Sequence, residues 1–377
     1  MAALAACQGP DEEGNTTGGG AGGPIAGGGS SGGGSGSTYT GPVTLALTAD
    51  PTVRWDPTTG KTTVLVQYSV RGASDAPLGD TQFGTVMLVD EKALDSESLL
   101  DSSSQELAVN LRFAEVLDAS YSMTQHNPPA FDTMKEAARN TYRDVLQAWA
   151  QRPGEASFRG IWFDEVINQT LDSESTGRAW LPDDLLTIPA PQPGSATKMY
   201  GAAQRMAELL KTDFDKGIAA GERDHHVMLL FSDGADNYSW FNNTSQENLL
   251  TTSTGASYVQ YGMAATTLND VTAAIRAHPR LTVHVIGLGS QINASELTQI
   301  AEAGGGVFLQ NPSSENVGDL FEQVMLEFTT LQTEGALMPL PPGDYTYTLR
   351  VVNGNGSASD DISFRFHAGD SNAGVLP

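Results

Sequence analysis

The sequence is poor in cysteine, in basic residues and in long apolar runs. Its 377 residues include 1 Cys, so no disulfide can form within the chain. The 20 Lys and Arg residues face 45 Asp and Glu residues, and the formal net charge of −25 argues against nucleic acid and against electrostatic docking on anionic lipid. No apolar run approaches the roughly 20 residues that a membrane-spanning helix needs. Such acidity is typical of an exported, well-solvated surface, but it also suits a surface that collects divalent cations.

The motifs of familiar enzymes are absent as well. We find no Ser-His-Asp order, no Gly-x-Ser-x-Gly nucleophile elbow and no Walker lysine. The sequence "GLGS" at 287–290 is only the end of a predicted strand. Together these absences predict a binding protein rather than an enzyme.

The single cysteine, Cys7, follows two small residues and a leucine. Leu4-Ala5-Ala6-Cys7 resembles a bacterial lipobox, in which a signal peptidase cleaves before a cysteine that then carries a diacylglycerol. Because only Met1 to Ala6 precede Cys7, either the start lies further upstream or the resemblance is a chance one in an alanine-rich stretch. The expectation is lipidation at Cys7 and a place in the bacterial cell envelope (outer membrane, periplasm or cell surface). The membrane would be reached only through this N-terminal lipid.

A glycine- and serine-rich tract follows Cys7. Residues 8–40 include "TTGGGAGGPIAGGGSSGGGSGST", which has no means of burying apolar surface and is predicted to be disordered. About 30 such residues form a coil with an end-to-end distance of roughly 30 Å. We interpret residues 1–40 as a lipobox-like N-terminus and a leash, although a tail without a tethering role has the same composition.

Residues 41–110 and 331–370 have the two-residue apolar alternation of β-strands, as in Val64 to Val70. In the second segment "PPGDYTYTL" resembles the late strand of immunoglobulin-like bacterial modules, and "NGNG" at 353–356 suits a hairpin turn. Either segment alone would leave one sheet face unburied. We therefore predict that the two segments form one immunoglobulin-like β-sandwich, with residues 371–377 as a tail.

Residues 111–330 alternate strand-like and helix-like patterns. Apolar runs such as "HVMLLFSD" (226–233) are separated by segments in which apolar residues recur every three or four positions. This alternation predicts an α/β fold: an open, mostly parallel sheet with helices on both faces, inserted in or flanked by the sandwich. Ligands bind such sheets beyond the carboxyl ends of the strands, where Asp118 and Asp233 fall.

Oxygen-bearing side chains follow these strands at three places. Asp118, Ser120 and Ser122 lie in "DASYS", Thr197 lies in "ATKMYGAA", and Asp233 ends "LLFSD". Hard divalent cations take oxygen ligands, and Mg²⁺ wants about six of them. The spacing predicts a site for Mg²⁺ (or Mn²⁺ or Ca²⁺). Alternatively, the two serines cap a helix and Asp233 is a turn residue.

The segments "DASYS", "ATKMYGAA" and "FSDGADN" resemble, in order, the metal-ion-dependent adhesion site (MIDAS) of the von Willebrand factor A (VWA) family. The resemblance covers about residues 111–330. It implies that Ser120 and Ser122 contact the metal, that Asp118 acts largely through water, and that Thr197 and Asp233 exchange direct and water-mediated roles. It also implies a function: an adhesion or scaffold module whose metal captures an Asp or Glu carboxylate of a partner protein.

The family resemblance leaves a second function open. Some VWA proteins are subunits of metal chelatases or oxidase-activating complexes, so a subunit of a metal-insertion or complex-assembly machine is the alternative. Those subunits usually work with an ATPase in the cytoplasm, and export of this chain would count against that function.

Four aromatic residues are candidates for ligand recognition. Tyr121 stands where many family members have glycine, so its side chain would crowd the metal or add an aromatic wall beside it. Tyr238, Trp240 and Phe241 lie in segment 237–262, which we predict to be an enlarged loop after the last ligand. Exposed aromatic residues often anchor interfaces, but some of these must pack the loop itself.

Two further residues lie close to the predicted ligands. Ser195, two residues before Thr197, is an alternative hydroxyl ligand, although Thr197 fits the family spacing better. His126 follows "DASYS" closely enough to line the site, but its position is more typical of a histidine in a surface loop.

Overall fold

A computed structural model of the protein describes residues 39–377, apart from 49, 74–75, 80–81, 101–108, 221–223, 243–246, 263, 291, 312 and 331. Cys7 and nearly all of the predicted leash lie outside the described residues. Lipidation and tethering therefore remain predictions.

The described chain begins and ends with β-strands and alternates strands with helices between them. The first strands are β1 (Thr44–Leu47), β2 (Thr52–Asp56), β3 (Lys61–Arg71), β4 (Phe83–Val89) and β5 (Lys92–Ala93). The middle of the chain forms β6 (Asn110–Asp118), α1 (Ala130–Trp149), β7 (Ala156–Phe163), β8 (Ile167–Thr170), α2 (Ser173–Thr176), α3 (Met199–Ala220), β9 (Asp224–Ser232), β10 (Asn248–Thr251), β11 (Ser257–Tyr261), α4 (Leu268–Arg276), β12 (Leu281–Leu288), α5 (Ala294–Ala303), β13 (Phe308–Asn311) and α6 (Val317–Thr329). The last strands are β14 (Gln332–Met338), β15 (Gly343–Asn353), β16 (Ser359–Ala368) and β17 (Gly374–Val375).

The first and last groups of strands form two antiparallel sheets that pack face to face. One sheet has the order β1-β3-β14 with β2 also on β3, and the other has the order β17-β16-β15-β4-β5. Alternate residues of β3 and β15, including Val66 and Leu349, face the shared core because a strand turns every second side chain to the same side. Since β14 pairs with β3 and β15 pairs with β4, strands from both ends of the chain contribute to each sheet.

The predicted tail at 371–377 departs from expectation, because it contains β17, which pairs with β16. A two-residue strand is too short to show the alternation of apolar and polar residues that identifies a strand. Its pairing therefore depends on the neighbouring strand rather than on its own sequence.

The middle of the chain forms the third sheet, in the order β10-β11-β8-β7-β6-β9-β12-β13. Strands β7, β6, β9, β12 and β13 run parallel, whereas β8, β11 and β10 add an antiparallel edge. Helices α1 and α6 cover one face, and α3, α4 and α5 cover the other. The predicted fold class, a mostly parallel α/β sheet flanked by a β-rich part, is confirmed.

Segment 237–262 is not simply a loop. It contains the hairpin of β10 and β11, and β11 pairs with β8 at the edge of the central sheet. Within the hairpin, Tyr258 is buried against Trp162, with ring centroids 4.6 Å apart. The sequence does not reveal this pairing because the partner strand is about 90 residues away, as Gln260 to Asn168 shows.

Side chains of β6 alternate between the two helical layers. Phe113 and Leu117 pack under α1 and α6, and Ala114 and Val116 pack under α3. Burying each large apolar side chain contributes about 1.5–3 kcal/mol. Helix α1 covers the sheet with an apolar stripe at helical spacing: Phe131, Met134, Ala138, Val145 and Trp149.

Parallel pairing sets the position of the site. Leu117 of β6 pairs with Phe231 of β9, so the carboxyl ends of these strands lie side by side. Helix α3 begins at the same edge, where the backbone N–H of Lys198 donates to the carbonyl of Asp164 after β7 (2.9 Å). Among the described residues, no helix combines the length and apolar character needed to cross a bilayer.

Candidate metal site

Asp118 is fully buried at the end of β6 and accepts two hydrogen bonds. The backbone N–H of Ser120 donates to Oδ1 (2.8 Å), and the hydroxyl of Ser232 donates to Oδ2 (2.6 Å). Burial, and then the nearby charge of Asp233, raise the pKa of Asp118 to about 7. Two carboxylates close together in a buried place repel each other, and a cation between them would relieve that repulsion.

Ser120 and Ser122 connect Asp118 to Asp233 through a series of hydrogen bonds. Their hydroxyl oxygens are 2.9 Å apart, and the Ser122 hydroxyl donates to Oδ1 of Asp233 (2.7 Å). Ser120 precedes a short 3₁₀ helix, Tyr121–Thr124, but its side chain makes no capping hydrogen bond. The interpretation of the serines as helix caps is therefore wrong, because the Ser122 side chain bonds Asp233, the residue directly after β9.

The spacing of these oxygens fits a six-coordinate cation. Ligands at neighbouring corners of an octahedron, each roughly 2.1 Å from the ion, are about 3 Å apart. The Ser120–Ser122 and Ser122–Asp233 pairs are 2.9 and 2.7 Å apart. Among the described residues, no group of three or more His, Cys, Asp or Glu side chains is arranged to hold a metal. A cation here would therefore depend on the hydroxyl groups.

Thr197 is buried just before α3 and is held by its backbone. Its N–H donates to Oδ1 of Asn237 (2.8 Å), and its carbonyl accepts from the N–H groups of Asn237 and Tyr238, each at 3.1 Å. Its side chain lines the same cavity as Ser122, whereas Ser195 does not. The structure thus favours Thr197 over Ser195 as the hydroxyl of this segment.

An open cavity of about 520 Å³ lies over these residues. Among the side chains that line it are those of Ser122, His126, Thr197, Asp233 and Asn237. Asp118 and Ser120 are buried next to the cavity rather than lining it. The site is therefore open to solvent on one side, whereas Asp118 and Ser120 are buried at the end of the sheet on the other.

His126 lines the site, which is one of the two places that its sequence position allowed. Its Nε2 lies 2.8 Å from Oδ2 of Asp233, on the opposite carboxylate oxygen from Ser122. Of the two interpretations of His126, the structure favours the one in which it lines the site, because the loop after the 3₁₀ helix brings its ring to Asp233. Burial raises the pKa of Asp233, and the contacts with Ser122 and His126 lower it in part.

Two residues of the loop after β9 support the site, and the sequence analysis missed them. Asn237 holds Thr197, and Asp236 accepts from the N–H of Tyr200 in the first turn of α3 (2.9 Å). Acidic and amide side chains suit a helix N-terminus because the first N–H groups lack partners. The run "DGADN" has this turn chemistry, so it was the signal that could have identified them.

The candidate recognition residues lie in two places. Tyr121 is half-buried in the 3₁₀ helix and is not among the described residues that line the cavity. Tyr238 packs on Phe241 with ring centroids 5.2 Å apart, and Trp240 is 70% exposed. The ammonium of buried Lys198, next to Thr197, donates to the carbonyl of Phe241 (2.8 Å). This cluster is therefore tied to the ligand-bearing segment.

The fold and the site define a mixed α/β protein with a candidate cation site at the carboxyl edge of its parallel strands. No family model and no curated protein matches the chain. Proximal thread matrix protein 1 from the mussel byssus, solved with a zinc-occupied MIDAS motif, is 16% identical over 68% of this chain and 49% of its own, with a TM-score of 0.38. The chain thus spans about half the length of that protein.

Two VWA structures are similar over more of the chain. The ArnB paralog VWA2 from Sulfolobus acidocaldarius is 13% identical over 86% of this chain and 74% of its own, with a TM-score of 0.36. A von Willebrand factor type A protein from Catenulispora acidiphila is 11% identical over 87% and 74%, with a TM-score of 0.40. With TM-scores this low, the fold class rests on the strand order and helices of this chain.

Proposed function

We propose that this protein is an adhesion or scaffold module that uses a divalent cation to capture an Asp or Glu carboxylate of a partner protein. The observation that carries the proposal is the hydrogen bond between Ser122 and Asp233, which joins two predicted ligands across 111 residues of sequence. Thr197 lines the same cavity, as the third predicted segment requires.

Ser120, Ser122, Thr197 and Asp233 would hold the cation, which is Mg²⁺, Mn²⁺ or Ca²⁺ in this proposal. When bound, the cation supplies an electrophilic centre that accepts a carboxylate oxygen from outside. Neutral hydroxyls leave most of the charge of the ion unneutralised, so an acidic partner gains more from binding than a neutral one.

The hydrogen bonds of Asp118 support an indirect role for it. One of its oxygens accepts from the N–H of Ser120 and the other from the hydroxyl of Ser232. These bonds hold the loop that presents Ser120 and Ser122. The carboxylate adds negative charge near the cation without needing to give up either bond.

Binding rather than catalysis is proposed for this site. A serine nucleophile needs an adjacent base, usually histidine, to remove its proton. The hydroxyls of Ser120 and Ser122 contact each other, that of Ser122 also contacts Asp233, and His126 contacts the other oxygen of that carboxylate rather than a serine.

The setting of the module is also part of the proposal. Lipidation at Cys7 and the glycine-rich leash would display the module in the bacterial cell envelope. The net charge of −25 supports a protein partner over nucleic acid.

Metal titration of the full chain by calorimetry tests the proposal. Wild type should bind Mg²⁺ or Mn²⁺ at one site, and Asp233→Ala should weaken binding more than about 100-fold, since a direct ligand counts for more than a supporting residue. Asp215→Ala is the matched control, because Asp215 is exposed near the far end of α3 and pairs with Lys211. Wild type that binds none of the three cations would end the proposal.

Capture of proteins from bacterial envelope extracts adds the partner side of the test. Proteins retained by wild type should be released by a chelator and should not be retained by Asp233→Ala. Retention that is indifferent to the chelator would show that the cation does not mediate binding.

A further inference from the structure

The imidazole of His126 lies inside the candidate site rather than beside it. Its Nε2 is 2.8 Å from Oδ2 of Asp233, and the side chain is 23% exposed. The ring lines the same cavity as Ser122 and Thr197. It is therefore open to a cation that reaches those hydroxyls.

Gly289, the residue directly after β12, lies close to the ring. Gly289 has φ +83°, and a Cβ added there would lie 3.2 Å from Cε1 of His126. The absence of a side chain at Gly289 leaves room for the imidazole next to Asp233. The ring thus lies next to the residues that directly follow two strands, Asp233 after β9 and Gly289 after β12.

The distance between Nε2 and the Asp233 oxygen fits two arrangements. If Nε2 carries the proton, the contact is a hydrogen bond. If the proton is on Nδ1, the Nε2 lone pair and the Oδ2 lone pair both face the space between them. Neighbouring ligands of an octahedral ion are about 3 Å apart, which is close to the separation observed.

We propose that His126 is a direct ligand of this cation site and makes it selective for borderline transition-metal ions, such as Zn²⁺ and Ni²⁺, over Mg²⁺. The inference rests on the proposed function, because it concerns the same site. Imidazole nitrogen suits Zn²⁺ and its neighbours, whereas Mg²⁺ and Ca²⁺ keep to oxygen. A set of hydroxyls and one carboxylate would favour the hard ions, and one nitrogen shifts that preference.

A positioning role for His126 is the competing explanation. In that case the imidazole only orients Asp233 through a hydrogen bond, and its loss weakens every cation to a similar degree. A ligand role differs in two observable ways: it changes the Zn²⁺ affinity much more than the Mg²⁺ affinity, and it places a nitrogen atom on the ion.

The experiment compares the full-length wild type with His126→Gln and His367→Gln. Glutamine keeps an N–H that can donate to Asp233 but removes the imidazole nitrogen. His367 is a suitable control because it also contacts carboxylates, Asp344 (2.7 Å) and Asp370 (3.2 Å), but lies in the antiparallel sheet. Zn²⁺ and Mg²⁺ affinities are measured by calorimetry, and the Mn²⁺-loaded proteins are examined by electron spin echo envelope modulation for coupling to nitrogen.

In His126→Gln we expect the Zn²⁺ affinity to fall at least about 100-fold while the Mg²⁺ affinity stays nearly unchanged. Nitrogen coupling to Mn²⁺ should be present in wild type and in His367→Gln and absent in His126→Gln. Equal loss of both affinities, or wild-type Mn²⁺ without nitrogen coupling, would overturn the ligand role and leave the proposed function intact. Wild type that binds no cation would overturn the proposed function itself. The spectrum of wild type alone decides the ligand role if His126→Gln does not fold.

Discussion

The hydroxyl of Ser122 donates a 2.7 Å hydrogen bond to Oδ1 of Asp233, and this bond joins the loop after β6 to the loop after β9. The two strands are neighbours in the parallel sheet, so their ends meet although they are far apart in sequence. His126 contacts the other oxygen of the same carboxylate. The side chains of Ser122 and His126 and the ends of two strands therefore meet at Asp233.

Asn237 should support both the stability and the cation affinity of the site. Asn237→Ala removes the acceptor for the buried N–H of Thr197, and an unsatisfied buried group costs about 1–3 kcal/mol. Loss of a residue that orients a metal ligand typically lowers metal affinity about 10–100-fold. Denaturant unfolding and calorimetric titration measure the two effects. Asn237→Asp keeps the acceptor oxygen and should retain most of the stability, and full affinity in Asn237→Ala would show that Thr197 needs no such support.

Glu115 should destabilise the fold increasingly as the pH rises. It lies on the face of β6 that packs under α1 and α6, and neither of its carboxylate oxygens has a hydrogen-bond partner among the described residues. Burial raises its pKa well above the usual value. The unfolded chain therefore loses this proton at a lower pH than the folded chain does. Stability falls by about 1.4 kcal/mol per pH unit between the two pKa values.

Glu115→Gln removes this ionisation and keeps the shape of the side chain. Thermal unfolding should show little difference between the variant and wild type near pH 4 and a growing advantage for the variant towards pH 8. Glu91→Gln is an exposed control and should show no such trend. A constant difference across this pH range would mean that Glu115 is ionised in the folded protein.

Two glycines should respond oppositely to alanine. A Cβ at Gly306 would lie 2.1 Å from the carbonyl oxygen of Val283, so Gly306→Ala must displace the backbone before β13. Gly318 is the second residue of α6 and has nothing within 4 Å of its Cβ position, so Gly318→Ala should stabilise the helix by at most about 0.5–1 kcal/mol, the value for a helix interior. Chemical unfolding should show a loss of more than about 1 kcal/mol for the first, as forced overpacking usually gives. Equal effects of the two substitutions would contradict the packing described before β13.

Trp240 should matter for partner binding and not for folding. Its side chain is 70% exposed, so Trp240→Ala should change stability by less than about 0.5 kcal/mol. Trp162 is buried in the core of the central sheet, and Trp162→Ala should cost about 3–5 kcal/mol. If Trp240 anchors the partner, its loss should weaken chelator-sensitive binding by about 2 kcal/mol, measured as a change in Kd. Unchanged Kd would remove Trp240 from the recognition surface.

The parts of the fold that depend on local pattern could be predicted. The two-residue period of β3 and the helical stripe of α1 each appear within one segment, because a strand or a helix buries one face at its own period. The run "DASYS" directly follows an apolar strand, so this one segment is enough to predict oxygen-bearing side chains at the end of that strand. Even the split sandwich followed from local reasoning, since each β-rich segment alone would have left a sheet face exposed.

Other parts of the site depend on contacts between distant segments. His126 lies next to Asp233 only because the chain after the 3₁₀ helix folds back towards β9, and Ser232 bonds Asp118 only because β6 and β9 are adjacent. The β10–β11 hairpin lengthens the sheet only because β8 offers it a free edge. For Tyr121 the sequence suggested an aromatic wall beside the ion, but in the folded protein its side chain does not line the cavity.

The sequence by itself determined the alternation of strands and helices, the β-rich ends and the residue types that can bind a hard cation, because each of these is set by neighbours within a few residues. Only the tertiary structure decided which oxygens meet, which loop holds Thr197 in place and which nitrogen joins them. Those contacts depend on strand order and on the direction in which loops leave the sheet. Strand order and loop direction are decided by burial of the whole core. That core is built from residues of many segments, so no single stretch of sequence is enough to predict it.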